Sequence, residues 1–159
     1  MFNLPEKTPC RQWAPLPLRL IIGYGFLAHG WAKLSRGPAE FAKLFEYTGT
    51  PQPEIMAWLS TFIEILGGLA ILAGAFVAAV SVPLIVMMLV AMFTVHLRYG
   101  FSAIKTIGLT ADGPQFGPPG YEVNLLYIAC LLSLILGGAG PFSLDRLLAR
   151  KQREPAALD

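Results

Sequence analysis

The sequence predicts an all-α membrane protein, a four-transmembrane-helix bundle with a short interfacial helix in the first outer loop. Three observations predict it. Hydrophobic residues make up 55% of the 159-residue chain and charged residues only 14%, against about 25% charged in an ordinary soluble domain. Four apolar runs approach the roughly 20 residues that a spanning helix needs. Trp31, Trp58, Tyr99 and Tyr121 fall at those ends of the runs that share one side, as an aromatic belt would. Residues 1–159 read as one domain.

The first span runs from Pro17 to Leu34, bracketed by Arg19 and Lys33, whose long side chains are expected to snorkel toward head groups. The second runs from about Met56 to Val80. Ser81, Val82 and Pro83 then suggest a tight turn, with the proline opening the next helix. The third span continues to about Tyr99. The fourth covers about Tyr121 to Ala139 and stops at Gly137, Gly138, Gly140 and Pro141. Between spans one and two, Phe41, Leu44, Phe45 and Thr48 recur at helical spacing from Pro38 on, which predicts the interfacial helix. The Gly- and Pro-rich stretch Gly100–Gly120 reads as an ordered lid or a flexible loop. Ser143 is placed to cap a short basic helix through Lys151, with a disordered tail over 152–159.

Four spans put both termini on one side. That side carries Lys7, Arg11, Arg19, Arg146, Arg150, Lys151 and Arg153; the other carries Lys33, Arg36, Lys43, Arg98 and Lys105. The excess predicts cytoplasmic termini. The first apolar run starts near Leu16 and lacks a following A-x-A site, so no cleavable signal is expected. With 12 basic against 10 acidic residues there is no basic surface for nucleic acid. Cys10 and Cys130 are far apart and form no C-x-x-C, which gives a thiol-disulfide or structural-zinc reading little support.

Glu64 is the only fully charged residue between Ile55 and Leu97. Placing a charge in hydrocarbon costs about 2.5–3.5 kcal/mol on insertion scales, so an intramembrane Glu marks a candidate site. On the predicted topology all four spans bring polar groups to the outer boundary: His29 and Lys33 from the first, Ser60 and Glu64 from the second, His96 and Arg98 from the third, Glu122 and Asn124 from the fourth. Glu64 shares a face with Ser60, Gly67, Gly68 and Ile71, and small residues line helix contacts in membranes. That face is expected inside the bundle, against Lys33, His29, His96 or Arg98. His29, Lys33, Glu64, His96, Arg98, Glu122 and Asn124 form the candidate ligand and proton-transfer pocket. Plainer roles stand beside these. Glu122 suits a helix N-terminus, Lys33 and Arg98 suit snorkelling, and both histidines suit core hydrogen bonds. Met87, Met88 and Met92, with Cys130, read as packing. Two His and two Glu also admit a divalent metal, but no pair has the Glu-x-x-His spacing of di-iron bundles, and no metal is expected. His29 with Glu64, and His96 with Glu122, hint at a duplicated hairpin.

Three stretches, RLIIGYGFLAHGWAKL (Arg19–Leu34), FIEILGGLAILAG (Phe62–Gly74) and GGAGPFSLDRL (Gly137–Leu147), together with Glu122, resemble the DoxX family of small bacterial membrane proteins. The H-G-x-x-K and E-x-x-G-G elements carry the likeness. The family is similar to DoxD, a subunit of thiosulfate:quinone oxidoreductases, and some mycobacterial members are associated with a complex that handles thiol and superoxide stress. The resemblance implies a multi-pass protein of the bacterial inner membrane in a redox context, without fixing a reaction. Two functions are expected from it. One is a redox-linked subunit that binds a quinone or similar small ligand and takes electrons from a partner protein, since no haem, flavin or iron-sulfur ligation pattern is visible. The other is a non-catalytic anchor or assembly subunit. A transporter is less favoured, because four unbroken spans are few for alternating access.

Overall fold

A computed structural model describes residues 12–153; the expectations for Lys7, Cys10, Arg11 and the residues after Arg153 lie outside them. The chain is mostly helical: α1 (Pro15–Arg36), α2 (Pro38–Tyr47), α3 (Pro53–Ala73), α4 (Val77–Ala91), the strands β1 (Thr106–Thr110) and β2 (Gly113–Phe116), α5 (Glu122–Gly137) and α6 (Leu144–Arg153). Prolines open α1, α2 and α3, where the missing N–H is lost to no helical bond. α1 packs on α3, α3 on α4, α4 on α5, and α5 back on α1. Ile22, Phe26, Ile71, Leu84, Leu131 and Leu134 fill the space between them.

α3 and the stretch Val77–Tyr99 are long and apolar enough to cross a membrane. Only 39% and 22% of their most apolar windows are buried. Leu66, Phe93, Leu126 and Leu136 face outward, so the helices are greasy outside as well as inside, as lipid-facing helices are.

The α1–α3 seam is set by glycine. A Cβ on Gly68 would lie 2.7 Å from the Gly23 carbonyl oxygen, and one on Gly30 would lie 3.2 Å from the Glu64 Cβ. Both contacts bring backbones closer than side chains allow, the use small residues have between membrane helices.

Two local expectations are corrected. The turn between the second and third apolar runs is at Gly74–Phe76, with Gly74 left-handed at φ 68°, and Pro83 lies inside α4. The glycine stop outweighs the proline because the Asp145 carboxylate accepts the N–H groups of Phe76 (2.6 Å) and Val77 (3.0 Å), which fixes the start of α4 there. The Gly100–Gly120 segment holds an antiparallel hairpin with a bulge between Thr106 and Gly108. Ala111 and Asp112 make its two-residue turn, and Gly113, at φ 119°, leads the chain into β2.

Arg19 does not snorkel. It is 1% exposed. Its guanidinium donates to the carbonyls of Ile71 (2.9 Å) and Leu72 (2.6 Å) at the end of α3, and to those of Ala139 (2.9 Å), Pro141 (3.2 Å) and Phe142 (3.2 Å) after α5. Helix C-termini leave carbonyls without partners within the helix. One side chain therefore closes two helix ends. Ser143 caps α6 as expected, accepting the Arg146 N–H at 3.3 Å.

Arg19→Lys retains the charge but not the planar fork. It is expected to destabilise the protein by about 1.5–3 kcal/mol, the range of a lost charged hydrogen bond, and Arg19→Leu by more. Thermal unfolding in detergent measures both; equal midpoints for wild type and Arg19→Lys would contradict the role.

Candidate functional site

Glu64 sits on α3 beside the glycine seam, and its partner across the seam is Lys33 of α1. Lys33 Nζ lies 2.7 Å from Glu64 Oε1, with side chains 15% and 5% exposed. The ammonium also lies 4.3 Å from the centre of the Phe41 ring, so α2 folds over the pair. Glu64 Oε2 is buried and has no hydrogen-bond partner. A carboxylate seldom leaves an oxygen bare, because an unmet buried acceptor costs about 1–3 kcal/mol or more when charged.

A cavity of about 410 Å³ opens beside this pair. His29 and Lys33 line it from α1, Glu64 from α3, His96 from the end of the α4 stretch, and Asn124 and Tyr127 from α5. Phe41, Leu44, Met88 and Val95 make much of its wall. His29 and Val123 are exposed members of the lining.

His96 reaches the cavity through a change of winding. Met92–His96 forms a wide π-turn, followed by a tight turn at Leu97–Tyr99. Such insertions re-aim side chains and recur at functional sites. His96 Nδ1 lies 3.0 Å from the Pro119 carbonyl oxygen. A carbonyl only accepts, so Nδ1 carries the hydrogen, and in the neutral ring Nε2 is left with a lone pair. Asn124 donates to the Met88 carbonyl at 3.2 Å, tying α5 to α4.

Two of the seven sequence candidates lie outside the lining. Glu122 accepts the Ala103 N–H at 2.8 Å and pins the hairpin loop to the start of α5. Arg98 donates to the Tyr47 hydroxyl at 3.2 Å and stacks on Tyr47 and Tyr99. Both serve the roof. Gly120 completes it, because a Cβ there would strike the carbonyls of Gly100 and Phe101. The two hairpins do not repeat one interaction: Glu64 meets a lysine and Glu122 a backbone amide. Tyr127 was missed by sequence reasoning. It packs edge-on against Phe26 at 5.2 Å and near His29 at 6.4 Å. The signal was its position three residues after Asn124, on the same helix face. Met88, read as packing, is also a wall residue. Among the described residues, no three His, Cys, Asp or Glu side chains cluster as a metal site would need.

Fold and site define a helical membrane protein with an apolar-walled cavity that holds a few polar groups. The chain belongs to the DoxX family, whose model matches residues 14–97. The match takes in Arg19, His29, Lys33, Glu64 and His96, and stops before α5. An uncharacterized protein of Haemophilus influenzae is 29% identical over 136 residues, covering 84% of this chain and 90% of its own length. An uncharacterized membrane protein of Mycobacterium tuberculosis is 29% identical over 139 residues, covering 84% of this chain and 80% of its own. No solved structure matches significantly.

Breaking the pair from either side should be costly. Lys33→Met or Glu64→Leu alone is expected to destabilise by about 3–5 kcal/mol, while the double variant, with no stranded charge, recovers most of the loss. Denaturation midpoints of the four proteins measure the coupling, and additive losses would contradict a direct pair.

Proposed function

We propose that this chain is a four-span protein of the bacterial inner membrane, with both termini cytoplasmic, whose outer-facing cavity binds a quinone or similar small lipophile. On this reading it serves a membrane complex as a redox-linked subunit. The observation that carries the proposal is the bare Oε2 of Glu64, held by Lys33 in a residue that lines an apolar-walled cavity. The volume lies within the range of small-molecule sites, about 300–1,000 Å³. A lipophile would enter from the bilayer ring first, past the exposed His29 and Val123, with a prenyl tail left among lipid. Reducing a quinone takes two protons as well as two electrons. Glu64 and His96 are the groups that would exchange the protons, and a partner protein would supply the electrons. The DoxX membership supports a membrane setting, and the basic-residue excess supports the orientation.

A second reading, an anchor or assembly subunit, draws on the hairpin. Ile107, Leu109 and Phe116 are 68%, 82% and 60% exposed at its surface, an apolar patch of the kind that docks a partner.

Orientation is tested in a variant whose native cysteines are replaced by serine. A membrane-impermeant thiol reagent should label Asp112→Cys in intact cells and Lys151→Cys only in inverted vesicles. The reverse pattern would overturn the topology. Binding is tested by titrating the purified protein with a short-chain quinone analogue. Glu64→Gln and His96→Asn are each expected to weaken binding about tenfold, near 1.4 kcal/mol, with Cys130→Ser unchanged. No binding by the wild type, or undiminished binding by both variants, would sink the redox reading in favour of the anchor.

A further inference from the structure

We infer that α6 and the cleft beside it form a binding surface for anionic phospholipid head groups, at the opposite end of the molecule from the cavity. Three sides of α6 differ in chemistry. Leu144, Leu147 and Leu148, at positions i, i+3 and i+4, make one apolar row, and they are 46%, 56% and 47% exposed. Arg146 and Arg150, four residues apart, make a second row, and both are exposed, as is Lys151 near the helix end. The third side is fastened to the body: the Asp145 N–H donates to the Gly74 carbonyl at 3.0 Å, and its carboxylate is taken up by Phe76 and Val77.

The helix is thus held in place with its leucines uncovered, and among the described residues no acid pairs with Arg146, Arg150 or Lys151. Asp145 is the acidic residue of its first turn, and both its oxygens are engaged. A cleft of about 370 Å³ adjoins it, lined by Gln12, Pro15, Gly140, Ser143, Asp145 and Arg146. An exposed leucine row beside a basic row is the pattern of a helix lying in the membrane interface, with acyl chains against one row and head groups against the other. Charge complementarity selects the occupant: a zwitterionic head group offers no net charge to this surface, whereas an anionic one is attracted by each nearby Lys or Arg. α6 comes directly after the end of α5, so the chain already stands at the membrane boundary there.

The purified protein in neutral detergent is titrated with phosphatidylglycerol or with phosphatidylcholine, and its thermal midpoint is followed. Phosphatidylglycerol should raise the midpoint, and phosphatidylcholine should not. The triple variant Arg146→Gln, Arg150→Gln, Lys151→Gln should lose the anion-specific rise and keep the wild-type midpoint in phosphatidylcholine. Should the triple variant fail to fold, Arg150→Gln with Lys151→Gln, outside the cleft, carries the test, with a partial loss expected. Equal effects of the two lipids on the wild type, or a full phosphatidylglycerol effect in the variants, would overturn the inference. None of these readouts involves the cavity, so the quinone reading stands or falls separately.

Discussion

A single helix carries a buried cation near each end, and the rest of the structure is arranged around those two charges. Arg19 and Lys33 are fourteen residues apart on α1, about 21 Å along a helix and close to the same face. Neither is left to lipid. Arg19 is consumed by five carbonyls and Lys33 by one carboxylate. The first ties α1 to the end of α3 and the α5–α6 connection; the second ties it to the middle of α3. The Gly23–Gly68 and Gly30–Glu64 contacts between them give α1 and α3 their close approach. Ion pair and glycines are parts of one constraint, because the short Lys33–Glu64 contact needs the backbones that near.

The energetics of the two ends differ in kind. At the Arg19 end every named group is matched, and the network holds two non-glycine residues, Phe76 and Phe142, in left-handed conformations at φ 49° and 51°. Such backbones cost of order 1–3 kcal/mol each and persist only where surroundings over-determine them. Here the Phe76 N–H is held by Asp145 and the Phe142 carbonyl by Arg19. At the Lys33 end the pair is incomplete. A buried ion pair roughly balances its desolvation only when its remaining hydrogen-bonding capacity is met, and Glu64 Oε2 is not met. Stability alone would favour an apolar pair at these positions. The bare oxygen argues for a role in binding.

The helices and their order are legible in the sequence because apolar length is a strong signal, and Glu64 stands out because it is alone in its run. The partner of Glu64 is legible as well: Lys33 lies one turn after His29 on the face that meets α3. The Gly74 turn is not, because Pro83 offers an equally good local signal, and only the distant Asp145 carboxylate decides between them. Arg19 misleads for a related reason. A basic residue near the end of an apolar run reads as snorkelling, and the carbonyls that hold it come from residues 52 to 123 positions away. The hairpin is hidden by Gly and Pro, although Asp112 in its turn and Gly113 just after it are turn-favouring residues. On the four-span reading of the sequence, Arg98 and Glu122 fall at the same depth as the site. Depth places a residue along the axis and leaves its direction around the helix open, so these two roof residues are indistinguishable in sequence from the lining.

The π-turn couples the cavity to the loop above it. A regular continuation of α4 would rotate His96 away from where it sits, since one extra residue in a turn shifts all later side chains by about 100°. The hydrogen bond from His96 to Pro119 shows the consequence of the irregular winding: it joins the α4 stretch to the roof that Gly120 and Glu122 also secure. The roof therefore rests on a wall residue of the cavity. A ligand that engaged His96 would act on the same ring that holds the connection to α5. Cavity and loop are thus joined through that one ring.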